Sequence, residues 1–406
     1  MTWENTHRAD PTPPNTPRYG QPCASPGRSH AFYAGEVSRP ADRCPGVFAT
    51  HAAADGHIAR LRLSGGRILP DRLEALATAA ERFGDGHLEL TGRANVQVRG
   101  IAEADVPAFA EAMVAAGLAG SAAHDRVRNI VVSPFTGRLG GTGELWAVAD
   151  RLSAALADAD ETTALSGRFW FGLDDGRGDV LRRTPDVVGV WDGADGAELV
   201  VAGRRTGRVV PLAGAAEAML DVARQFLACR DDEWRIADLP EQARESLHRD
   251  LAAWGASGAA PVSGDSVPGP RVGWFGQDDG RVLLGTVTPF GRLSARQAQF
   301  AAAIGSTLIV TPDRELLITD LTEGVAETVV RVLAPMGFVF DAASPWTRAS
   351  ACTGSPGCAR SGADVRRLLA DRIEAGAGFD EPEHWVGCPR RCGSPPGATV
   401  RVLGGQ

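Results

Sequence analysis

The sequence predicts an α+β protein: two copies of one strand–helix–strand–strand–helix unit, an α/β lobe between them, and a cysteine-bearing tail. Three observations carry that expectation. The same order of alternating and helical apolar periods recurs after about two hundred residues. The stretch between the copies holds several apolar runs of strand length. Four cysteines fall in two close pairs near the C-terminus.

In the first copy, Ile58-Ala59-Arg60-Leu61-Arg62-Leu63 alternates as a half-buried strand does, and Ser64-Gly65-Gly66 ends it. Pro70 to Phe83 places Leu73, Leu76, Ala77 and Ala80 at helical spacing. The strand His87–Thr91, a turn at Gly92, the strand Asn95–Val98 and a helix from Val106 to Ala116 complete a ferredoxin-like half-domain. The second copy repeats this with Val282–Val287, a helix after Ser294, Ser306–Thr311, Glu315–Thr319 and a helix from Val325 to Leu333. Thr91 then aligns with Thr311, and Val98 with Ile318, which points to duplication with pseudo-two-fold packing. Between the copies, Phe169–Leu173, Val187–Trp191 and Glu198–Ala202 read as strands and Ala215–Cys229 as an amphipathic helix.

These readings divide the chain into a disordered arm rich in Pro and Ser (1–42), a first half-domain (43–124) and a middle lobe (125–254). A linker rich in Gly, Ala and Ser (255–270), a second half-domain (271–340) and a cysteine segment (341–406) follow.

Composition narrows the function. No run of about twenty apolar residues is present, so no membrane-spanning helix is expected. No secretory signal is legible, and the expected compartment is the cytoplasm. A net charge of −8 argues against non-specific nucleic-acid binding. Every basic side chain is arginine, so any anion site must be built from guanidinium forks, which suit carboxylates.

Cys352 and Cys358 have five residues between them, Cys388 and Cys392 three. Two close thiolate pairs on Gly- and Pro-rich turns suit a 4Fe–4S cluster. Structural zinc favours tighter knuckles of about two to four intervening residues, and disulfides suit secreted chains; both rank behind the cluster.

Together these features resemble the sirohaem-dependent sulfite and nitrite reductase superfamily. The specific carriers are the cysteine tail, Thr91-Gly92-Arg93-Ala94-Asn95-Val96-Gln97, which fits a T-x-R-x-x-x-Q signature, and the Arg128-Asn129 pair opening the middle lobe. The resemblance implies sirohaem-reductase-like lobes holding an eight-carboxylate tetrapyrrole beside the cluster. It implies Arg60, Arg93, Gln97, Arg128, Asn129 and Arg168 as tetrapyrrole-binding residues and Cys352, Cys358, Cys388 and Cys392 as cluster ligands. Arg62 and Arg99 read instead as solvated charges.

Departures sharpen the expectation. The reductases place a Lys-x-Lys pair where this chain has Arg168-Phe169-Trp170, and Trp170 cannot donate a proton to a small oxyanion. Glu89 stands where a further arginine is common, and Pro389-Arg390-Arg391 replaces Pro-Asn-Gly. The precorrin-3B synthase branch of the superfamily accommodates these losses, because there the old cofactor pocket takes a metal-free tetrapyrrole substrate. That branch implies hydroxylation and γ-lactone formation on precorrin-3A with dioxygen, an external reductant carrying NADH-derived electrons, and an oxygen-activating mononuclear non-haem iron. His124 and Asp125 are weak candidates for catalysis there; His87 is a further candidate ligand and His384 a candidate neighbour of the cluster. The alternatives are a sirohaem-dependent sulfite or nitrite reductase with diverged oxyanion residues, and a non-catalytic iron–sulfur or zinc protein.

Overall fold

Alternation of apolar and polar side chains sets the first sheet in the computed structural model, which describes residues 42–140, 143–252 and 270–403. The expected arm and linker, with Cys23, lie almost wholly outside the described residues. The first copy consists of β1 (His51–Ala53), β2 (Gly56–Leu61), β3 (Arg67–Ile68), α1 (Pro70–Phe83), β4 (His87–Leu90), β5 (Val96–Ile101) and α2 (Val106–Ala115). The middle lobe holds β6 (Ile130–Val132), α3 (Trp146–Asp158), β7 (Phe171–Asp174), β8 (Val187–Trp191), β9 (Gly196–Val201), β10 (Arg204–Pro211), α4 (Leu212–Cys229) and α5 (Glu241–Ala252). Its five-stranded sheet has the order β10-β9-β8-β7-β6, parallel from β6 to β8 and antiparallel beyond.

The second copy repeats the first with β11 (Gly273–Gly276), β12 (Val282–Thr286), β13 (Arg292–Ser294), α6 (Ala295–Ala302), β14 (Leu308–Val310), β15 (Leu316–Leu321) and α7 (Glu323–Leu333). The two copies exchange a strand. β13 pairs with β4 of the first copy, and β3 pairs with β14 of the second. The sheets are therefore β1-β2-β5-β4-β13 and β11-β12-β15-β14-β3. The half-domain bounds read from the sequence, 43–124 and 271–340, gave no sign of this exchange. Neither sheet is complete without a strand from the other copy, and α1 and α6 share one hydrophobic core.

Backbone detail repeats as well. Left-handed residues fall at matching places: Ala94 with Arg314, Gly100 with Asp320, Gly117 with Gly337. The second pair sits opposite an irregularity in the β2–β5 and β12–β15 registers, where a bulge demands such a conformation. Ser294 caps α6, accepting from the Gln297 N–H while the Gln297 side chain accepts from Ser294 N–H, which stabilises the helix start by about 1 kcal/mol.

The copies differ in what their outer faces carry. In both, one face of the sheet feeds the shared core: Ala59, Leu61, Leu88, Leu90, Val96 and Val98 in the first, Leu284, Leu308, Val310, Leu316 and Ile318 in the second. On the other face the second copy presents Leu283, Ile309 and Leu317, which pack into the core of the middle lobe. The first copy presents Arg60, Glu89, Gln97 and Arg99 there. The period of two decides this, because Arg60 pairs with Gln97 and Glu89 with Gln97 across the strands.

The tail folds as a small parallel sheet, β16 (Ala349–Ala351), β17 (Glu383–Val386) and β18 (Thr399–Val402), in the order β16-β17-β18. The expected spacer helix between the cysteine pairs is α8 (Val365–Glu374), which serves as the crossover that parallel strands require. No helix among the described residues is long and apolar enough to cross a membrane.

Gly66 tests the exchange. Its φ is +82°, and a β-carbon there would lie 2.0 Å from the Val310 carbonyl of β14. Gly66→Ala is expected to cost about 2–4 kcal/mol from left-handed backbone and overpacking together, read as a lowered urea midpoint. An unchanged midpoint would contradict the exchanged-strand packing.

Candidate functional site

The polar outer face of the first sheet meets the middle lobe and the tail, and arginines from all three gather around it. Arg60 donates to Gln97 Oε1 at 3.0 Å, and Gln97 donates onward to Glu89 Oε2 at 2.7 Å. Glu89, 6% exposed, also receives Arg366 of α8 at 2.7 Å, and Arg292 of the exchanged strand stands 3.9 Å from it. Arg366 thus brings a guanidinium from the tail to the position where Glu89 stands in place of an arginine. Burial alone would raise the Glu89 carboxyl, but Arg366, the Gln97 amide and Arg99 together hold it below the usual carboxylate range.

A second group lies on the side of the middle lobe. Arg93 donates to the Gly167 carbonyl at 3.3 Å and stacks 5.1 Å from the centre of the Trp170 ring. Arg235 approaches that ring at 5.9 Å and is fixed by Asp186 at 3.0 Å. Burial pushes Arg93 down to about 10, with Arg235 and Arg60 adding repulsion. Arg62 is likewise pushed down to about 10, first by burial and then by Arg60. Cys44, beside Gly167, sits within the field of Arg60 and Arg93.

The protein leaves several of these donors unused. Nε of Arg60, Arg292 and Arg366 and Nε1 of Trp170 are buried without a hydrogen-bond partner. A buried N–H without an acceptor costs about 1–3 kcal/mol, so these four donors would favour a ligand that brings acceptors to them. Polycarboxylates fit that donor set. Two surface hollows of about 430 and 450 Å³, beside α1 and α2, share no lining residue with this arginine group.

Two residues read as solvated are buried. Arg62, 4% exposed, donates to Asn129 Oδ1 at 2.7 Å and to the carbonyls of Pro45 and Asp125. Arg99, 5% exposed, grips Asp55 through two 2.9 Å bonds and donates to the Gly357 carbonyl at 3.1 Å. Alternation in β5 placed Arg99 toward the outer face, but only the docked tail buries it. Asn129 is wholly engaged: besides accepting from Arg62, its amide donates to Arg126, Gly167 and Phe169 carbonyls. It clamps the junction rather than offering a free group. Arg128 is half-buried, and Arg168 is exposed with its guanidinium 4.1 Å from the centre of the Trp234 ring.

Most of the candidate iron ligands already have protein partners. His124 uses both ring nitrogens, on Ser121 Oγ at 2.9 Å and the Ala159 carbonyl at 3.2 Å. Asp125 Oδ2 accepts the Val47 and Phe48 N–H groups. His87 bonds the Asp85 carbonyl at 2.8 Å. The three metal-ligating side chains that do converge among the described residues, Asp174, Asp175 and Asp179, lie in the middle lobe and are engaged by Arg177, Arg271, Ser133 and backbone N–H groups. Among the described residues, no His and carboxylate set of the kind expected for a mononuclear iron converges.

The cysteines fare differently. Parallel pairing of β16 with β17 brings Cys352 and Gly387-Cys388 out at the same end of the sheet, and the Cys352 N–H bonds the Trp385 carbonyl at 2.9 Å. All four thiols are free, and Cys392 is exposed. Burial raises the Cys392 pKa; Arg390 opposes this, while Cys388, Cys352 and Cys358 all lie near enough to add to it. Four thiolate donors gathered on turns fit an iron–sulfur cluster in chemistry. Buried His384 bonds the Cys392 carbonyl at 3.0 Å and Ser350 Oγ at 2.8 Å, and burial pushes its pKa down to about 4.

Comparison with known proteins agrees with this architecture. Residues 51–116 match the nitrite/sulfite reductase ferredoxin-like half domain. The chain resembles the structure of the Mycobacterium tuberculosis NirA protein with a TM-score of 0.66 at 20% identity, over 83% of this chain and 69% of that one. It is 27% identical to ferredoxin–nitrite reductase of Synechococcus elongatus, over 89% of this chain and 78% of the relative. It is 26% identical to precorrin-3B synthase of a Sinorhizobium species, over 94% and 84% respectively. The half-domain match and these relatives all point to a likeness with the nitrite/sulfite reductase superfamily.

Asn129→Ala should remove four hydrogen bonds, three of them buried and one to a guanidinium, and cost about 3 kcal/mol of stability. Arg128→Ala should cost under about 1 kcal/mol. Chemical denaturation of the two variants checks this, and equal losses would contradict a clamping role for Asn129.

Proposed function

We propose that this chain is an oxidoreductase of the precorrin-3B synthase type, acting on a polycarboxylate tetrapyrrole beside a 4Fe–4S cluster held by Cys352, Cys358, Cys388 and Cys392. One observation carries the reading: buried guanidinium and indole N–H groups stand without acceptors where the first sheet meets the middle lobe and tail. A small oxyanion uses few such donors. A macrocycle fringed with acetate and propionate groups uses many, and bidentate arginine contacts fix its orientation.

Arg60 and Arg93 would then take carboxylates, with Gln97 holding Arg60 in place through its 3.0 Å bond. Trp170, 5% exposed, fills the position of the second oxyanion lysine and keeps water from it. The cluster, when bound, supplies electrons one at a time. Overall, precorrin-3A, dioxygen, two electrons and two protons give the hydroxylated ring and water; an acetate carboxyl then closes the γ-lactone by adding its O–H across a double bond of the ring, so that nothing further leaves. No step is assigned to a mononuclear iron. Sirohaem-dependent nitrite reduction is the second reading, favoured by the similarity to the Synechococcus elongatus enzyme.

Anaerobic reconstitution with iron and sulfide, followed by precorrin-3A, reductant and labelled dioxygen, separates them. The proposal expects a product heavier by one labelled oxygen and no chlorin absorption bands in the isolated protein. Bound sirohaem with nitrite turnover would overturn it. Arg93→Ala should weaken precorrin-3A binding by about 2 kcal/mol, about thirtyfold, and unchanged affinity would place the substrate elsewhere. Cys388→Ser and Cys392→Ser should each abolish the cluster, and retained iron and sulfide in both would contradict the ligand assignment.

A further inference from the structure

The cysteine loops are held to the body of the protein by their carbonyls. Arg99 of the first copy donates to Gly357, next to Cys358, and His384 bonds the Cys392 carbonyl. Arg314 of the second copy donates to the carbonyl of Gly393, next to Cys392. The two arginines differ in charge balance. Arg99 is neutralised by the bidentate Asp55 contact. Arg314, half-buried, forms no ion pair among the described residues; the neighbouring Asp313 is taken by Arg183 and Arg271.

The position of Arg314 is costly in itself. Its φ is +62°, left-handed in a residue with a β-carbon, and it repeats Ala94 of the first copy. In both copies the side chain at this turn packs against a glycine, Gly66 beside Ala94 and Gly291 beside Arg314. Duplication therefore explains the turn but not the charge. What the second copy adds at this point is a guanidinium directed to the tail. A β-carbon on Gly393 would lie 3.2 Å from that guanidinium and 3.9 Å from the His384 ring, so the three groups converge behind the last cysteine.

We infer that Arg314 is a positioning residue that sets the reduction potential of the metal centre, holding the Cys392 loop by the Gly393 carbonyl and placing a positive charge with no ion pair of its own beside the thiolate cage. This rests on the proposed cluster reading. Adding an electron makes a thiolate-ligated cluster more negative, and a nearby cation stabilises that state, raising the potential. Asp313 and Glu89 stand in the field of Arg314 but neither forms an ion pair with it among the described residues, so less of its charge is cancelled than in the Arg99–Asp55 pair.

The test uses the reconstituted full-length protein, with iron and sulfide counted before each titration. Arg314→Gln should retain the cluster but make its reduction about tenfold less favourable against a reference dye, a fall of about 59 mV for one electron. Arg314→Lys, which keeps the charge, should stay within about twofold of the wild-type equilibrium. A Gln variant with wild-type potential, or a Lys variant that shifts as far as Gln, would overturn the inference. Wild-type protein that takes up no iron and sulfide would instead remove the cluster reading, and this inference with it.

Discussion

Positive charge taken out of water without full compensation is the constraint around which this molecule is arranged. Burying a guanidinium is expensive unless acceptors surround it. Here Arg60, Arg62 and Arg93 repel one another as well, and two of them are pushed down to about 10. Glu89, Asp186 and Asn129 meet part of the demand. The remainder is left as N–H groups without partners, a cost that a polyanionic ligand would offset on binding.

Duplication supplies the framework and asymmetry supplies the chemistry. The exchange of β3 and β13 welds the copies into one core, so their outer faces are presented rigidly. The second copy spends its outer face on packing: Ile309 and Leu317 stand where the first copy carries Glu89 and Gln97. The first copy is thereby free to hold polar groups. The tail then closes over it, with Arg366 reaching Glu89 and Arg99 reaching Gly357, so that the thiols and the arginine face are parts of one construction.

Much of this was legible in the chain because it depends on period. The alternation in Ile58–Leu63 and Val96–Val98 marked both the sheet and its polar face, and helical spacing located Pro70–Phe83 to the residue. The strand exchange was not legible, because Arg67–Ile68 and Arg292–Ser294 are too short to show a period and their partners lie far along the chain. Arg62 and Arg99 were misread for a related reason: alternation says which face a side chain takes, and only docking of another lobe decides whether that face is wet. Arg235, Arg292, Arg314 and Arg366 belong to no motif and enter the site by tertiary packing alone. The cysteine pairs were legible from spacing, whereas the parallel strands that deliver them are three and four residues long and carry little pattern.

In the proposed function, unsatisfied guanidinium groups gathered around the first copy's outer face act as a receptor for carboxylates on a flat macrocycle. Equilibrium titration with an octacarboxylate tetrapyrrole, and in parallel with its octamethyl ester, isolates that interaction from redox chemistry. The account predicts saturable one-to-one binding of the acid, weakening as salt is raised, and no measurable binding of the ester. Equal affinity for the two would show that the ring rather than its acid fringe is recognised, and would contradict the claim.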